Sequence, residues 1–166
     1  IDKAIPLIAE KAKDLQVPIV DLIQAQTEEP WKVLVATILS ARTNDITTAA
    51  AVTKLFKKAT TLEQLSALSL QRIEKLIYPV GFYPTKAKRL IEISRILLDR
   101  YDGQVPDTIE ALTALPGVGR KTANVVLGTA FGLPTGVVVD THVKRVSRRL
   151  GFTENSDPVN IEFDLM

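Results

Sequence analysis

Leu115-Pro-Gly-Val-Gly119 is followed at once by Arg120 and Lys121, and then by an apolar helical pattern. The first turn of a helix already carries roughly half a positive charge on its unpaired N–H groups, so two cations there call for an anion. Glycines admit positive φ and a close backbone approach to a partner. Successive N–H groups at a helix N-terminus suit a phosphate, and Lys121 or Arg120 can add charge to such a grip. Further along, Asp140 stands where an N-cap belongs, ahead of THVKRVSRRL. An ordinary helix–helix turn with a glycine C-cap would use the same Gly117 and Gly119. Leu115 and Val118, expected to pack inward, and the basic helix that follows weigh toward the phosphate reading.

Composition narrows the chemistry further. From Leu115 to Gly151 the net charge is +5 in a chain of +2, so the rest carries −3. Lys144, Arg145, Arg148 and Arg149 supply most of this excess, and their spacing is expected to spread them around their helix. There is no cysteine, which excludes disulfides and thiolate metal sites within the chain. The single histidine, His142, cannot build a metal site without several carboxylates, and a structural role is expected for it. No apolar run approaches the ~18 residues of a membrane span. The opening IDKAIPLIAEKAKDL is a charged amphipathic pattern rather than a secretory signal. With 46% hydrophobic residues but only 5% aromatic, the core must be built from Leu, Ile, Val and Ala.

The elements that must position these residues read almost entirely as helix. Asp2 is placed to cap a first helix to about Leu15, and Pro30 to open an apolar central helix, WKVLVATILSAR. Asp45, Thr61 and Ser69 open the next three, and Pro84 a longer one striped by Ala87, Leu90, Ile91, Leu97 and Leu98. Asp107 and Glu110 have capping-box spacing. A helix is expected from Arg120 to Phe131, then an extended Val137–Val139, then the helix capped by Asp140 and closed by Gly151. Asp157 and Pro158 start one more. No hairpin or alternating strand pattern appears. The fold class is all-α, with nine or ten short helices. The end, IEFDLM, has no cap for its last carbonyls, and the chain is expected to be a fragment.

At this point LPGVGRKTANVVL, FG and VDTHVKRVSRRLGF together resemble the helix-hairpin-helix DNA glycosylases, most of all the endonuclease III branch. VLVATILSARTND, IYPVGFYPTKAKRLIEIS and YDGQVPDTIEAL resemble further family segments in order, so the likeness runs from about Glu29 to Gly151. The resemblance implies a six-helix barrel carrying the hairpin (28–134) and a second helical domain from both chain ends (1–27 and 135–166, incomplete). It implies base-excision repair of double-stranded DNA holding oxidised pyrimidines or abasic sites, with the damaged base flipped into a cleft. Lys121 matches the family's catalytic lysine and Asp140 its catalytic aspartate. The lysine would attack C1′ and form a Schiff base, and β-elimination would follow. The helix N-terminus, Arg120 and partial desolvation would disfavour its ammonium form. DNA contacts fall to the hairpin (Leu115, Gly117, Val118, Gly119, Arg120) and to Lys144. Phe82 stands where relatives carry an apolar wedge, and Arg42 where many carry a glutamine that fills the vacated space.

The same resemblance implies a monomer. It implies a cytoplasmic, nucleoid-associated protein in a prokaryote, or a nuclear or mitochondrial one in a eukaryote. Full-length relatives continue to a four-cysteine loop holding a [4Fe–4S] cluster; no cofactor is expected in this chain. Two other functions stay open on the sequence. One is a monofunctional mismatch or adenine glycosylase of the same fold. The other is a non-catalytic helix-hairpin-helix module that grips DNA.

Overall fold

The computed structural model describes residues 29–133 and 135–166, together with Val20, Ile23 and Thr27. The helix expected from Asp2 to Leu15 lies outside them. Nine α-helices and no strand occur among the described residues: α1 Pro30–Ser40, α2 Asp45–Lys58, α3 Leu62–Ala67, α4 Leu70–Ile77, α5 Tyr83–Arg100, α6 Ile109–Thr113, α7 Arg120–Phe131, α8 Thr141–Arg149 and α9 Pro158–Leu165.

α1 is the centre. Its run from Val33 to Leu39 is buried all round, and it packs against α2, α5 and α7. α5 in turn carries α3 and α4, and α6 rests on α7. The shared core is aliphatic, as the composition requires. Its large fully buried members include Leu34, Leu39, Leu55, Ile73, Leu90, Leu97, Leu112 and Leu127. Trp31 is the aromatic exception: its ring meets Phe56 edge-on at 5.5 Å, and its indole N–H donates to Glu29 at 2.7 Å. This core runs through α1–α7; Val139 and Ile161 are buried outside it.

Short side chains start the helices by accepting otherwise orphaned amides. Thr61 and Ser69 do so for α3 and α4, as expected. Two starts differ from expectation. Asn44, rather than Asp45, caps α2 by accepting from Thr47 N at 2.8 Å. Thr108 caps α6 through Ala111 N, because the turn begins one residue too late for Asp107 to reach it. α5 begins at Tyr83, not Pro84, and the residue before it, Phe82, takes a left-handed φ of 58°. α8 closes in a Schellman turn: Phe152 N donates to Ser147 O and Gly151 N to Arg148 O, with Gly151 at φ 74°. Val137–Val139 have no regular structure.

Two charged side chains are buried in this apolar frame. Lys86 is 5% exposed, and burial followed by the nearby Arg89 pushes its ammonium down to about 8. Glu162 is 3% exposed, and it accepts from Arg120 Nε at 2.7 Å and Asn124 Nδ2 at 2.9 Å. Together these contacts join α9 to α7.

Candidate active-site cleft and hairpin

The hairpin turns between α6 and α7. Leu115 and Val118 are buried and Val118 N donates to Leu115 O, which closes the turn. Their side chains are therefore core, and what they can offer a partner is backbone. Gly117 is at φ 75°, and a Cβ there would lie 2.5 Å from the Arg89 side chain. Gly119 differs: it caps α7 at φ −95° with no side chain, and a Cβ would meet nothing within 4 Å. Conformation thus demands glycine at 117, whereas at 119 only the approach of an outside partner would.

The two cations after the turn part company. Arg120 turns back to α9, holding Glu162 through Nε and Nη2 at 2.7 and 3.1 Å, with its guanidinium 5.2 Å from the Phe163 ring centre. Glu162 lifts its already high pKa further, chiefly through that hydrogen bond. Lys121 faces a cleft of about 610 Å3 and is exposed. The Arg120 charge is thus paired with Glu162, while Lys121 stands on the cleft wall.

Asp140 lines the same cleft. Its Oδ1 accepts from His142 N at 2.9 Å and Val143 N at 2.8 Å, so it is the N-cap of α8 and its position is fixed by the helix it starts. Both amides use one oxygen, and the cap leaves the other unused. Burial would raise this carboxyl, but the Val143 and His142 amides, and then Lys121, outweigh it and hold the group below the usual aspartate range. The cleft therefore presents an amine on the first turn of α7 opposite a carboxylate kept ionised. Thr37, Ser40 and Asp45 from the α1–α2 corner complete the wall. Sequence reasoning took Asp45 only as a helix start. No motif marks it, because its place in the cleft depends on how α2 leaves α1.

The remaining candidates lie elsewhere. Phe82 is 62% exposed, so it is not core packing, and Arg42 stacks on its ring at 5.6 Å to the centroid. Lys144 donates to Ser156 O. His142 is exposed, its Nδ1 3.2 Å from Arg145 Nη2. The expected scattering of the four α8 cations is corrected: Lys144, Arg145, Arg148 and Arg149 line one depression together with Thr141. Positions i, i+1, i+4 and i+5 span an arc of only about 140° at 3.6 residues per turn.

No three His, Cys, Asp or Glu side chains are grouped to hold a metal among the described residues, and the sequence has no cysteine. A four-cysteine cluster has no ligands in these 166 residues. No described helix is long and apolar enough to cross a membrane.

The model of the HhH-GPD superfamily of base excision DNA repair proteins matches residues 35–166. Endonuclease III of Synechocystis sp. is 48% identical over 139 residues, 84% of this chain and 64% of that protein. The chain thus spans just under two thirds of that relative's length. A solved non-covalent endonuclease III–DNA complex superposes with a TM-score of 0.86 at 37% identity, covering 99% of this chain and 74% of that one. A trapped endonuclease III–DNA covalent intermediate does so with a TM-score of 0.83 at 36% identity, over 97% of this chain and 73% of that one. With the family match covering most of its length, the chain belongs to the HhH-GPD superfamily of base excision DNA repair proteins.

Proposed function

We propose that the protein is a bifunctional DNA glycosylase and abasic-site lyase acting on oxidised pyrimidines in duplex DNA. The observation that carries this is the convergence of Lys121 and Asp140 on one cleft beside a glycine hairpin whose helix start has no side-chain cap. The hairpin amides and the end of α7 take a backbone phosphate, and the base flips into the cleft. Lys121, once deprotonated, attacks C1′. The glycosidic C–N bond breaks, and the base leaves with the electron pair and gains a proton. Ring opening leaves the Nζ–C1′ Schiff base. Loss of a C2′ proton then expels the 3′ phosphate, and water releases the amine. Asp140 stabilises the positive charge that develops on the sugar and accepts the lysine's proton. In this reading the barrel spans residues 28–134, and 135–166 bring Asp140 to it from a second domain shared with 1–27. The likeness to endonuclease III implies a [4Fe–4S] cluster in full-length relatives, and these 166 residues hold no cysteine to ligate one.

Borohydride treatment of the chain on a duplex with an abasic site tests the reading. The wild type should be trapped covalently and cleave the strand. Lys121→Gln should do neither, yet bind duplex within about tenfold, since one phosphate contact is worth ~1 kcal/mol. An adduct with Lys121→Gln would make another amine the nucleophile. On a duplex carrying an oxidised pyrimidine, base release without any trapping would identify a monofunctional glycosylase.

A further inference from the structure

Two loops that carry candidate DNA-reading side chains are fastened to each other in the free protein. One is residues 41–43, after α1; the other is 79–82, before α5. Their tips hold the two exposed residues Arg42 and Phe82, both left-handed, at φ 55° and 58°. Such conformations are strained in non-glycine residues and persist only where the surroundings over-determine them.

The surroundings here converge on Lys86. Its Nζ donates to Leu39 O at 2.9 Å, to Ala41 O at 2.5 Å and to Thr43 Oγ1 at 3.4 Å. The ammonium thus occupies the C-terminal end of α1, where cations are favoured and orphan carbonyls need donors. Lys86 itself belongs to the first turn of α5, directly after the Phe82 loop. One side chain therefore ties the start of one loop to the end of the other. Thr43 Oγ1 also accepts from Gly81 N at 3.1 Å. A Cβ on Gly81 would stand 2.6 Å from Arg42 O, so the loops touch backbone to backbone.

Resting on the excision reading above, we propose that Lys86 is a positioning residue: it makes Arg42 and Phe82 one preassembled reader of the duplex, presented at fixed spacing before DNA arrives. Side chains on two independent loops would lose freedom on entering a base stack, whereas a fastened pair has already lost it. Of the cleft's lining Lys86 meets the carbonyl of Ala41, and neither Lys121 nor Asp140 is among its hydrogen-bond partners.

Cleavage of abasic DNA by the full chain, as single strand and as duplex, tests this against a purely structural lysine. Flipping a nucleotide from a duplex needs the reader; a single strand needs only the cleft. Lys86→Met keeps the length and removes the donors. It should lower duplex kcat/KM at least about tenfold, as an error near 1 Å in placement does, with single-strand cleavage within about twofold. In an Arg42→Ala/Phe82→Ala background the same substitution should change duplex cleavage by less than about twofold. Gly81→Ala, which leaves the lysine in place and wedges the loops apart, should reproduce the duplex-selective loss. This second variant keeps the test intact if Lys86→Met does not fold. Equal losses on both substrates, or an undiminished effect of Lys86→Met in the double-alanine background, would overturn the inference. A wild-type chain that cleaves neither substrate would instead overturn the excision reading itself.

Discussion

Asp140 does two jobs with one carboxylate, and they can be separated. As an N-cap it needs an oxygen acceptor; as an electrostatic partner of Lys121 it needs a charge. Asp140→Asn keeps the acceptor, so stability should stay within ~1 kcal/mol, whereas Asp140→Ala should lose a further ~1 kcal/mol with the cap. Both should lower excision by roughly 10²-fold or more, because the charge is gone in each. Thermal melts alongside abasic-site cleavage check the split; an active Asp140→Asn would reduce the residue to a cap. The pH sense follows from the direction of the shift. A carboxyl held below its usual range adds stability that is fully present above the unfolded value of about 3.9 and is lost as pH falls through the lower folded value. The margin of wild type over Asp140→Asn should therefore shrink only in acid, below about pH 4. Lys121 is one of the groups that keep this carboxyl low. In Lys121→Gln the Asp140 carboxyl should titrate higher, which a carboxyl-carbon NMR titration reads directly.

The hairpin shows how an element can use one residue type for two reasons. Gly117 sits at φ 75° against Arg89, so Gly117→Ala should destabilise the fold by ~1–3 kcal/mol and weaken DNA binding through misfolding of the turn. Gly119 has ordinary φ and open space around it, so Gly119→Ala should melt like the wild type. If the turn grips a phosphate, the added methyl should still weaken binding to damaged and undamaged duplex alike. It should also reduce the salt slope by about one. Unchanged affinity in Gly119→Ala would leave the turn a helix connector. The element level is also where the sequence was most legible. Caps such as Thr61, Ser69, Asp140 and Asp157, the prolines at helix starts and the glycines at helix ends act within one turn, and local pattern captures them. Thr108 for Asp107 and Asn44 for Asp45 are one-residue slips of the same rule. Lys86 and Glu162 were not legible, since a buried charge is decided by partners 38 to 47 positions away. The reach of Arg120 to Glu162 escaped for the same reason, and with it the true neighbourhood of Lys121.

At the scale of the whole molecule, Lys121 and Asp140 come from segments whose relative position is set by few contacts. α8 buries little beyond Ser147, and its Val146 and Leu150 remain exposed. The firmer link between 135–166 and the core is α9. Ile161 is fully buried, while Phe163 is 59% exposed. Beside Ile161, Glu162 meets Arg120 and Asn124 of α7, and Gly136 closes over them so tightly that a Cβ there would collide with Asn124 and Glu162. The strand of chain leading to Asp140 is thus pinned at Gly136, four residues before the carboxylate. Glu162→Ala should leave Asn124 Nδ2 without this acceptor and Arg120 without its partner. Because Arg120 is partly exposed, the cost should be ~1–3 kcal/mol rather than that of a fully buried pair. Glu162→Gln keeps the shape and one acceptor oxygen, so it should lose about half as much. A double-mutant cycle between Arg120→Ala and Glu162→Ala should give a coupling of ~1–2 kcal/mol in melts. Excision should fall further than stability accounts for, because a carboxylate displaced by ~1 Å from Lys121 loses its effect while the fold survives. If Glu162→Ala melts early but excises at the wild-type rate below its transition, the α7–α9 link holds the fold together without setting the cleft.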